Sequence, residues 1–218
     1  MKVKPIETDD GSHSLYVESL DEHYHSTKGA LQESRHVFIE AGLKQKTASP
    51  LNVLEIGMGT GLNALLTFAD RVKEQEIFYT ALEKYPLPEA VTEKLNYAQL
   101  VGVGKEKLSR IHRSAWGSWQ EIGPGFHLYK VEIDLHSWKP TETYDLVYFD
   151  AFGPDKQPDM WSVPIYRTIY NAMNPNGLLL TYTAKGAVRR GLQEVGFEVE
   201  RLQGPPGKKH MTRAVKRL

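Results

Sequence analysis

Short apolar runs alternate with amphipathic stretches along most of this chain. Residues 51–56, 77–83, 126–134, 144–150 and 178–183 are continuously apolar or alternate with a period of two, which predicts strands. Apolar residues recur at helical spacing over 30–43, over 62–72, from about 87 or 89 to 100, from 164 to 173, and over 186–195. Residues 197–202 and 212–217 are predicted to pair as a closing antiparallel hairpin.

This alternation is typical of an α/β fold with a mainly parallel sheet flanked by helices. With the closing hairpin, the sheet has seven predicted strands. Trp116 and Trp119 are expected in a helix or loop, and Asn174-Pro175-Asn176-Gly177 predicts a turn. A chain of 218 residues is most simply one domain. We expect residues 1–45 to form a short extension that packs on the ligand cleft and residues 46–218 to form the main domain.

Composition narrows the possible functions only modestly. Lysine plus arginine number 27, as do aspartate plus glutamate, so the net charge favours no particular partner. The absence of cysteine excludes disulfides, thiolate catalysis and thiolate metal ligands. No apolar run approaches the length of a membrane span, so we expect no membrane partner and a cytoplasmic location.

Three glycines at alternate positions follow the first core strand, in the pattern Glu55-x-Gly57-x-Gly59-x-Gly61. They let the backbone turn sharply, and they let a ligand approach the start of the next helix closely. A dinucleotide fingerprint would place its third glycine at position 62, where this chain has leucine. The pattern instead resembles the first motif of class I S-adenosylmethionine-dependent methyltransferases, which have a Rossmann-like fold. The alternative is a tight strand-to-helix connection that binds no ligand.

Acidic residues end three of the predicted strands. Glu83, Asp134 and Asp150 each follow an apolar run, and the carboxyl ends of parallel strands meet at one edge of a sheet. With an adenosyl cofactor there, Glu83 would accept hydrogen bonds from the ribose hydroxyls and Asp134 from the adenine amino group. Asp150 would lie nearest the reacting methyl. The alternative is that one or two of these acids are only solvated strand ends.

The segment after Asp150 narrows the resemblance to one family. The informative motifs are Asp150-Ala151-Phe152-Gly153-Pro154, Pro158-Asp159-Met160-Trp161, Thr183-Ala184-x-Gly186-x-Val188-Arg189-Arg190-Gly191-Leu192, Tyr24-x-Ser26, Glu33-Ser34-Arg35-x-Val37-Phe38 and Gly207-Lys208-Lys209-x-Met211. With these motifs the chain resembles the methyltransferase domain of the bifunctional enzyme that completes 5-methylaminomethyl-2-thiouridine at the tRNA wobble position. The resemblance extends from about Tyr24 to near the end.

The resemblance implies N-methylation of 5-aminomethyl(-2-thio)uridine in the anticodon region of tRNA, with S-adenosyl-L-methionine as cofactor and no metal. No oxidase domain follows, so we expect a stand-alone methyltransferase whose substrate comes from a separate enzyme or by another route. Asp150 is the predicted catalytic residue. The predicted cofactor-binding residues are Tyr24, Ser26, Glu55, Gly57, Gly59, Gly61, Asn63, Glu83 and Asp134, and the predicted substrate-binding residues are Phe152, Trp161, Arg189, Arg190, Lys208 and Lys209.

Several alternatives stay open at this stage. Trp161 is as consistent with core packing as with base stacking, and the basic C-terminal end is also what a solvated hairpin looks like. His23 and His25 are more typical of a surface loop near the ligand than of a metal site. An aminopropyltransferase of the spermidine synthase type shares the expected fold, although this chain has Thr60 where those enzymes have an acid. A methyltransferase of small amines and a non-catalytic RNA-binding or assembly module are the other possibilities.

Overall fold

An eight-stranded sheet forms the centre of the protein, and the N-terminal residues form a separate three-stranded antiparallel sheet. This computed structural model describes residues 2–217. The strands are β1 (Val3–Glu7), β2 (His13–Val17), β3 (Glu22–His23), β4 (Leu51–Ile56), β5 (Ile77–Glu83), β6 (Trp119–Gly123), β7 (Phe126–Glu132), β8 (Tyr144–Phe149), β9 (Met173–Thr181), β10 (Glu198–Gln203) and β11 (His210–Val215).

The strand order of the large sheet is β10-β11-β9-β8-β4-β5-β7-β6. The five inner strands β9, β8, β4, β5 and β7 are parallel, whereas β11 and β6 run antiparallel to their inner neighbours. From β4 the chain first builds the sheet outward through β5 and β7, and it then returns to place β8 on the other side of β4. Ligands of such sheets bind beyond the carboxyl ends of the strands at this switch of direction.

Helices cover both faces of the sheet. They are α1 (Ala30–Ser34), which continues as a π-helical segment (Arg35–Glu40), α2 (Leu62–Asp70), α3 (Glu89–Thr92), α4 (Tyr97–Val101), α5 (Lys105–Arg113), α6 (Val163–Asn171) and α7 (Gly186–Glu194). Buried residues of α2, α4 and α5 share one core cluster with Tyr79 and Tyr148 of the sheet. Buried residues of α6 and α7 share a second cluster with Val147 and Phe149. The core therefore consists of two apolar layers, and both are filled from the inner strands.

The structure confirms the α/β fold with a mainly parallel sheet and an antiparallel closing hairpin. The count of seven strands is wrong by one, because β6 pairs with β7 as an added edge strand and begins at Trp119. The helix predicted to end near residue 100 is two short helices, α3 and α4, and α5 follows as a further helix. The turn predicted at 174–177 is an irregular part of β9, where the register shifts and Asn176 has a φ of 60°.

The N-terminal residues make specific contacts with the main sheet domain. The Tyr97 hydroxyl donates to the His13 carbonyl at 2.7 Å, and Phe38 packs against Tyr148 with ring centroids 5.0 Å apart. Lys156, in the loop after β8, donates to the Leu20 and Asp21 carbonyls at 2.8 and 2.9 Å. These contacts hold the extension against the same edge of the sheet as the loops that follow β4 and β8. The domain boundary at residue 45 stays a prediction.

No helix within residues 2–217 is both long and apolar enough to cross a membrane.

Candidate active site

A cavity of about 440 Å³ opens beyond the carboxyl ends of the inner strands. This volume falls in the range of small-molecule sites. Its walls come from the glycine loop after β4, from Leu82 and Glu83 of β5, from Asp150 to Gly153 after β8, and from Tyr182 after β9. Residues 22–27 and Glu33 of the N-terminal extension supply the opposite wall, together with Lys208 of the β10–β11 turn. The cavity thus lies at the switch point of the sheet.

The glycine loop has a backbone conformation that favours glycine at all three positions. Gly57, Gly59 and Gly61 have φ angles of 85°, 47° and 71°. A Cβ atom on Gly57 would lie 2.7 Å from the Asp150 carbonyl oxygen, and one on Gly59 would lie 2.9 Å from the Tyr24 ring. A Cβ atom on Gly61 would instead meet His112, so this glycine faces α5 and does not line the cavity. A side chain at Gly57 or Gly59 would therefore clash first with the protein.

Glu83 supports the glycine loop and also faces the cavity. Its Oε2 accepts a hydrogen bond from the Gly59 N–H at 2.9 Å, and its Oε1 accepts one from the Tyr85 N–H at 2.8 Å. Because each carboxylate oxygen has two lone pairs, Glu83 can still accept hydrogen bonds from a bound ligand. The sequence places this acid at the right strand end, and the structure brings it to the loop.

The Asp134 carboxylate forms its hydrogen bonds with residues outside the glycine loop. Its carboxylate accepts from Lys84 Nζ at 2.7 Å and from the His136 backbone N–H at 3.0 Å. These bonds, with the Lys84 bond first, hold the pKa of Asp134 well below its usual range. The neighbouring residues Ile133 and Leu135 line the cavity, whereas Asp134 does not. Its predicted contact with the adenine amino group stays a prediction.

A buried pair behind the glycine loop escaped the sequence reasoning. His112 Nε2 lies 2.9 Å from the Thr60 carbonyl, so the hydrogen must sit on Nε2, and burial lowers the pKa of His112 to about 4. Lys130 is fully buried, donates to the His112 carbonyl at 2.6 Å and lies 4.6 Å from the centre of the Trp116 ring. Burial lowers the pKa of Lys130 to about 8. The one available signal was the position of Lys130, which in the alternating pattern of β7 shares a face with buried Phe126 and Leu128.

Asp150 and Glu55 are bridged by one amide. The Asn63 side-chain nitrogen donates to Asp150 Oδ2 at 2.8 Å and to Glu55 Oε1 at 3.0 Å. Asn63 and Asp150 line the cavity, but Glu55 is fully buried behind them and is not part of its wall. Within the part of the chain that the structure describes, Glu55 Oε2 and Asn63 Oδ1 have no hydrogen-bond partner. Glu55 is therefore linked to the cavity only indirectly, through the hydrogen bond that it accepts from Asn63.

Burial raises the pKa values of both acids. It raises the pKa of Asp150 to about 7, and the hydrogen bond from Asn63 opposes this rise. It also raises the pKa of Glu55 well above its usual range. Asp150 is thus poised between its two forms near pH 7, which is where a group that exchanges protons works best. Its carboxylate is also reachable, because it faces the cavity.

The wall formed by the N-terminal extension carries a buried acid, Glu33. One of its oxygens accepts from the Ser26 N–H at 2.9 Å, and the other pairs with Lys208 Nζ. Tyr24 lies half-buried over Gly59, with its ring 5.0 Å from that of Phe152. Burial lowers the pKa of His25 to about 4, so this histidine is neutral. Among residues 2–217, no three His, Asp or Glu side chains are grouped so as to hold a metal.

The remaining predicted substrate residues lie in different environments. Phe152 lines the cavity, whereas Trp161 lies beneath it, donates to the Phe152 carbonyl at 2.8 Å and packs on Phe149. The structure therefore places Trp161 in the core, as a support for the Phe152 loop. Arg190 and Lys209 are exposed outside the cavity lining, and Arg189 is half-buried in α7.

Comparisons with known proteins agree on one class. Residues 125–217 match the family described as S-adenosyl-L-methionine-dependent methyltransferase. The chain is 32% identical over 216 residues to the tRNA 5-methylaminomethyl-2-thiouridine biosynthesis bifunctional protein MnmC of Cupriavidus necator, covering 90% of this chain and 32% of that protein. It is 30% identical over 222 residues to the protein of the same name from Actinobacillus pleuropneumoniae, covering 89% of this chain and 32% of that protein. These similarities indicate an S-adenosyl-L-methionine-dependent methyltransferase.

Solved structures support the fold of this methyltransferase. MNMC2 of Aquifex aeolicus matches with a TM-score of 0.77 and 24% identity, over 98% of this chain and 70% of that one. A spermidine synthase of Thermotoga maritima matches with a TM-score of 0.56 and 12% identity, over 99% and 72%. Both similarities concern the fold alone. The methyltransferase spans about a third of the length of the curated relatives that it matches.

The cavity of the methyltransferase fits S-adenosyl-L-methionine. Gly57 and Gly59 line the cavity with their backbone, and Glu83 offers carboxylate lone pairs next to that loop. The acids of the lining suit the positive charge of a sulfonium, and Ile133 with Leu135 offers an apolar surface for a base. The assignment of individual residues to parts of the cofactor stays a prediction.

Proposed function

We propose that this methyltransferase N-methylates the primary amine of 5-aminomethyl(-2-thio)uridine at the wobble position of tRNA. The observation that carries the proposal is Asp150, a cavity-facing acid with its pKa raised to about 7 by burial, beside the glycine loop. The names of the relatives, which concern tRNA 5-methylaminomethyl-2-thiouridine, support the choice of substrate. The proposed reaction takes place in the cytoplasm, as expected for a tRNA substrate.

The amine is the first problem that the site must solve. A primary alkylamine has a pKa near that of lysine, about 10.4, so at neutral pH it arrives as an ammonium without a lone pair. The Asp150 carboxylate, with Asn63 holding its Oδ2, faces the cavity and can accept the ammonium proton. When bound, S-adenosyl-L-methionine would supply an electrophilic methyl group for the amine nitrogen, and its sulfur would keep the electron pair of the broken bond.

The cavity walls supply orientation for the base that carries the amine. Tyr24 and Phe152 present ring surfaces at the mouth, and aromatic stacking is the usual way to hold a nucleotide that has left its stack. The indole of Trp161 fixes the Phe152 carbonyl and so contributes to this surface indirectly. Seating the base places the amine between the glycine loop and Asp150, which removes the entropy cost of bringing the two together during the reaction.

The tRNA backbone is proposed to contact the basic residues outside the cavity. Arg190 lies in the first turns of α7, which begins after the cavity residue Tyr182, and Lys209 is next to Lys208 in the β10–β11 turn. Both are exposed, as phosphate contacts require. Arg189 is half-buried, so its predicted contact would need its side chain to reach out. Lys208 points into the cavity instead and has a different role.

The decisive experiment is methyl transfer from labelled S-adenosyl-L-methionine to tRNA that carries the aminomethyl nucleoside. Nucleoside mass spectrometry should find the methylaminomethyl product at the wobble position, and Asp150→Asn should lose it while binding the cofactor normally. Transfer of an aminopropyl group from decarboxylated S-adenosylmethionine to a polyamine would favour the aminopropyltransferase alternative. Cofactor binding with no transfer to any tRNA or small amine would favour a binding module. That the domain works without an attached oxidase stays a prediction.

A further inference from the structure

Lys208 carries its charge into the cavity. Its Nζ pairs with the carboxylate of Glu33 and lies 4.1 Å from the centre of the Tyr182 ring. Lysine side chains normally run along apolar surface and leave the ammonium in water, as the adjacent exposed Lys209 does. An ammonium held by a carboxylate and an aromatic face inside a substrate cavity therefore needs an explanation.

The two groups that hold this ammonium are fixed by the protein itself. The second oxygen of Glu33 accepts from the Ser26 N–H at 2.9 Å, and the Tyr182 hydroxyl donates to the Ala151 carbonyl at 2.8 Å. The Glu33 side chain is only 9% exposed, whereas that of Lys208 is 34% exposed. The carboxylate and the ring are thus rigid parts of the wall. Lys208 enters from the surface on a flexible stem and can leave.

The chemistry of the group in this position matches that of the proposed substrate. The end of a lysine side chain is a primary alkylammonium, and so is the protonated aminomethyl group on the wobble base. A carboxylate and the face of an aromatic ring together recognise such a cation through charge, hydrogen bonding and the ring quadrupole. The position is also next to the proposed reacting centre, because the Tyr182 hydroxyl is hydrogen-bonded to the carbonyl of Ala151, the residue after Asp150.

We propose that Glu33 and the face of Tyr182 form the seat for the ammonium group of the substrate, and that Lys208 occupies this seat until the substrate displaces it. This inference rests on the proposed function for the identity of the amine. Once displaced, the Lys208 ammonium lies beside exposed Lys209, where a nucleic-acid phosphate can replace its lost partner. The proton acceptor Asp150 is then next to the seated ammonium.

A purely structural ion pair makes a different prediction. If the pair only ties the β10–β11 turn to α1, Lys208→Met and Glu33→Gln break the same bond and should harm the enzyme in the same direction. If the seat is real, the two variants differ in sign. Lys208→Met removes a competitor and should lower the KM for aminomethyluridine tRNA, by about tenfold if Lys208 fills the seat in nine of ten molecules. Glu33→Gln removes the seat and should raise that KM by roughly tenfold or more.

A probe that needs no RNA tests the seat independently. We would titrate ethylammonium chloride by calorimetry into protein saturated with S-adenosylhomocysteine, with ethanol as the uncharged control. Lys208→Met should bind ethylammonium measurably more tightly than the wild type. The double variant Lys208→Met/Glu33→Gln and the charge-retaining Lys208→Arg should show no such gain. Lys208→Ala is a second form of the same test, and melting temperature and cofactor affinity report on folding of every variant.

The outcomes separate the two proposals. No gain in ethylammonium binding in either Lys208→Met or Lys208→Ala, or a KM that rises in parallel with that of Glu33→Gln, would overturn the seat. If the wild type methylates no aminomethyluridine tRNA while Lys208→Met gains ethylammonium binding that depends on Glu33, the proposed function is wrong and the seat stands.

Discussion

The two sides of the cavity are built in different ways. The glycine-loop side comes from one continuous piece of chain, β4 to α2, with Glu83 supplied by the adjacent strand β5. The amine side brings together Glu33, Asp150, Tyr182 and Lys208, which come from four separate parts of the sequence. The first side is held mainly by backbone conformation and N–H bonds, and the second mainly by side-chain charges. Mutations should therefore affect binding of the cofactor on one side and handling of the amine on the other.

The largest expected effect is on the glycine-loop side. Gly57→Val would place a branched Cβ 2.7 Å from the Asp150 carbonyl at a residue whose φ is 85°. The loop must move, so S-adenosyl-L-methionine binding measured by calorimetry should fall below detection. Gly102→Ala is a matched control, because Gly102 has a φ of 79° but open space around its Cβ position. Gly102→Ala should lower the free energy of unfolding by only about 1 kcal/mol and leave the affinity for S-adenosyl-L-methionine unchanged. Wild-type affinity in folded Gly57→Val would contradict the loop assignment.

The next largest effect belongs to the amine side. Asp150→Asn keeps the size of the side chain but loses the anion that accepts the proton, so kcat should fall by roughly 10²–10⁴-fold with cofactor affinity retained. Asp155→Asn is the control, since Asp155 lies in the same loop but has a side chain that is 79% exposed. Single-turnover methylation of aminomethyluridine tRNA measures both. Near-normal turnover in Asp150→Asn would mean that another group accepts the proton of the substrate amine.

This contrast also explains what the sequence could predict. The glycine pattern, Glu83 and Asp150 are local signals that follow apolar runs, and the structure brings all three to one cavity. The pairing of Lys208 with Glu33 joins residues far apart in the chain, and no periodicity encodes such a meeting. The basic C-terminal run therefore suggested a phosphate contact at Lys208, where the structure shows a partly buried ion pair with Glu33. Trp161 was ambiguous for a similar reason, because an apolar aromatic residue suits a core as well as a binding surface.

The fold, too, was predictable where the sequence pattern is local, and it was not predictable where an element depends on tertiary contacts. Strands β4, β5 and β8 have buried, apolar sequences, and their predicted ends agree with the structure to within one residue. Edge strand β6 and helix α5 were missed. The first has the mixed burial of a strand with one open side, and the second is a mostly polar helix with only Leu108 and Ile111 buried. Both depend on tertiary contacts more than on local pattern.

A third prediction separates the two acids that were assigned to the cofactor. Glu83→Ala removes a carboxylate that faces the cavity and holds the Gly59 N–H, so affinity for S-adenosyl-L-methionine should weaken by about 1–3 kcal/mol. Asp134→Ala removes a carboxylate whose bonds go to Lys84 and His136, and it should leave the affinity nearly unchanged. Calorimetry on both variants decides the matter. An equal loss in Asp134→Ala would restore its predicted contact with adenine.

A smaller effect is expected at the exposed basic residues. Lys209→Glu should raise the KM for tRNA a few-fold and lower the slope of binding against salt by about one ion, with cofactor affinity unchanged. Lys73→Glu is a matched control, because Lys73 is exposed in the loop after α2, at the far end of that helix from the glycine loop. Filter binding across a salt series measures both. If the two variants behave alike, the β10–β11 turn makes no phosphate contact.

The smallest expected effect is a shift in the pH dependence of kcat/KM. It is also the most specific test of the amine side. Because burial raises the pKa of Asp150 to about 7 and the reaction needs its anion, kcat/KM should rise with pH through about 7 and then level off. The positive charge of Lys208 lowers this pKa and the negative charge of Glu33 raises it. Lys208→Met should therefore move the rise to higher pH, and Glu33→Gln should move it to lower pH.

The control for these shifts is Lys209→Met, which removes an exposed charge outside the cavity and should leave the rise where it is. Asp150→Asn should lose the rise altogether, which ties it to this carboxyl and not to the substrate amine. The substrate amine titrates near pH 10, well above the range in question. Shifts of the same sign in Lys208→Met and Glu33→Gln would mean that the two charges do not act on Asp150 separately, and the electrostatic account of this side of the cavity would be wrong.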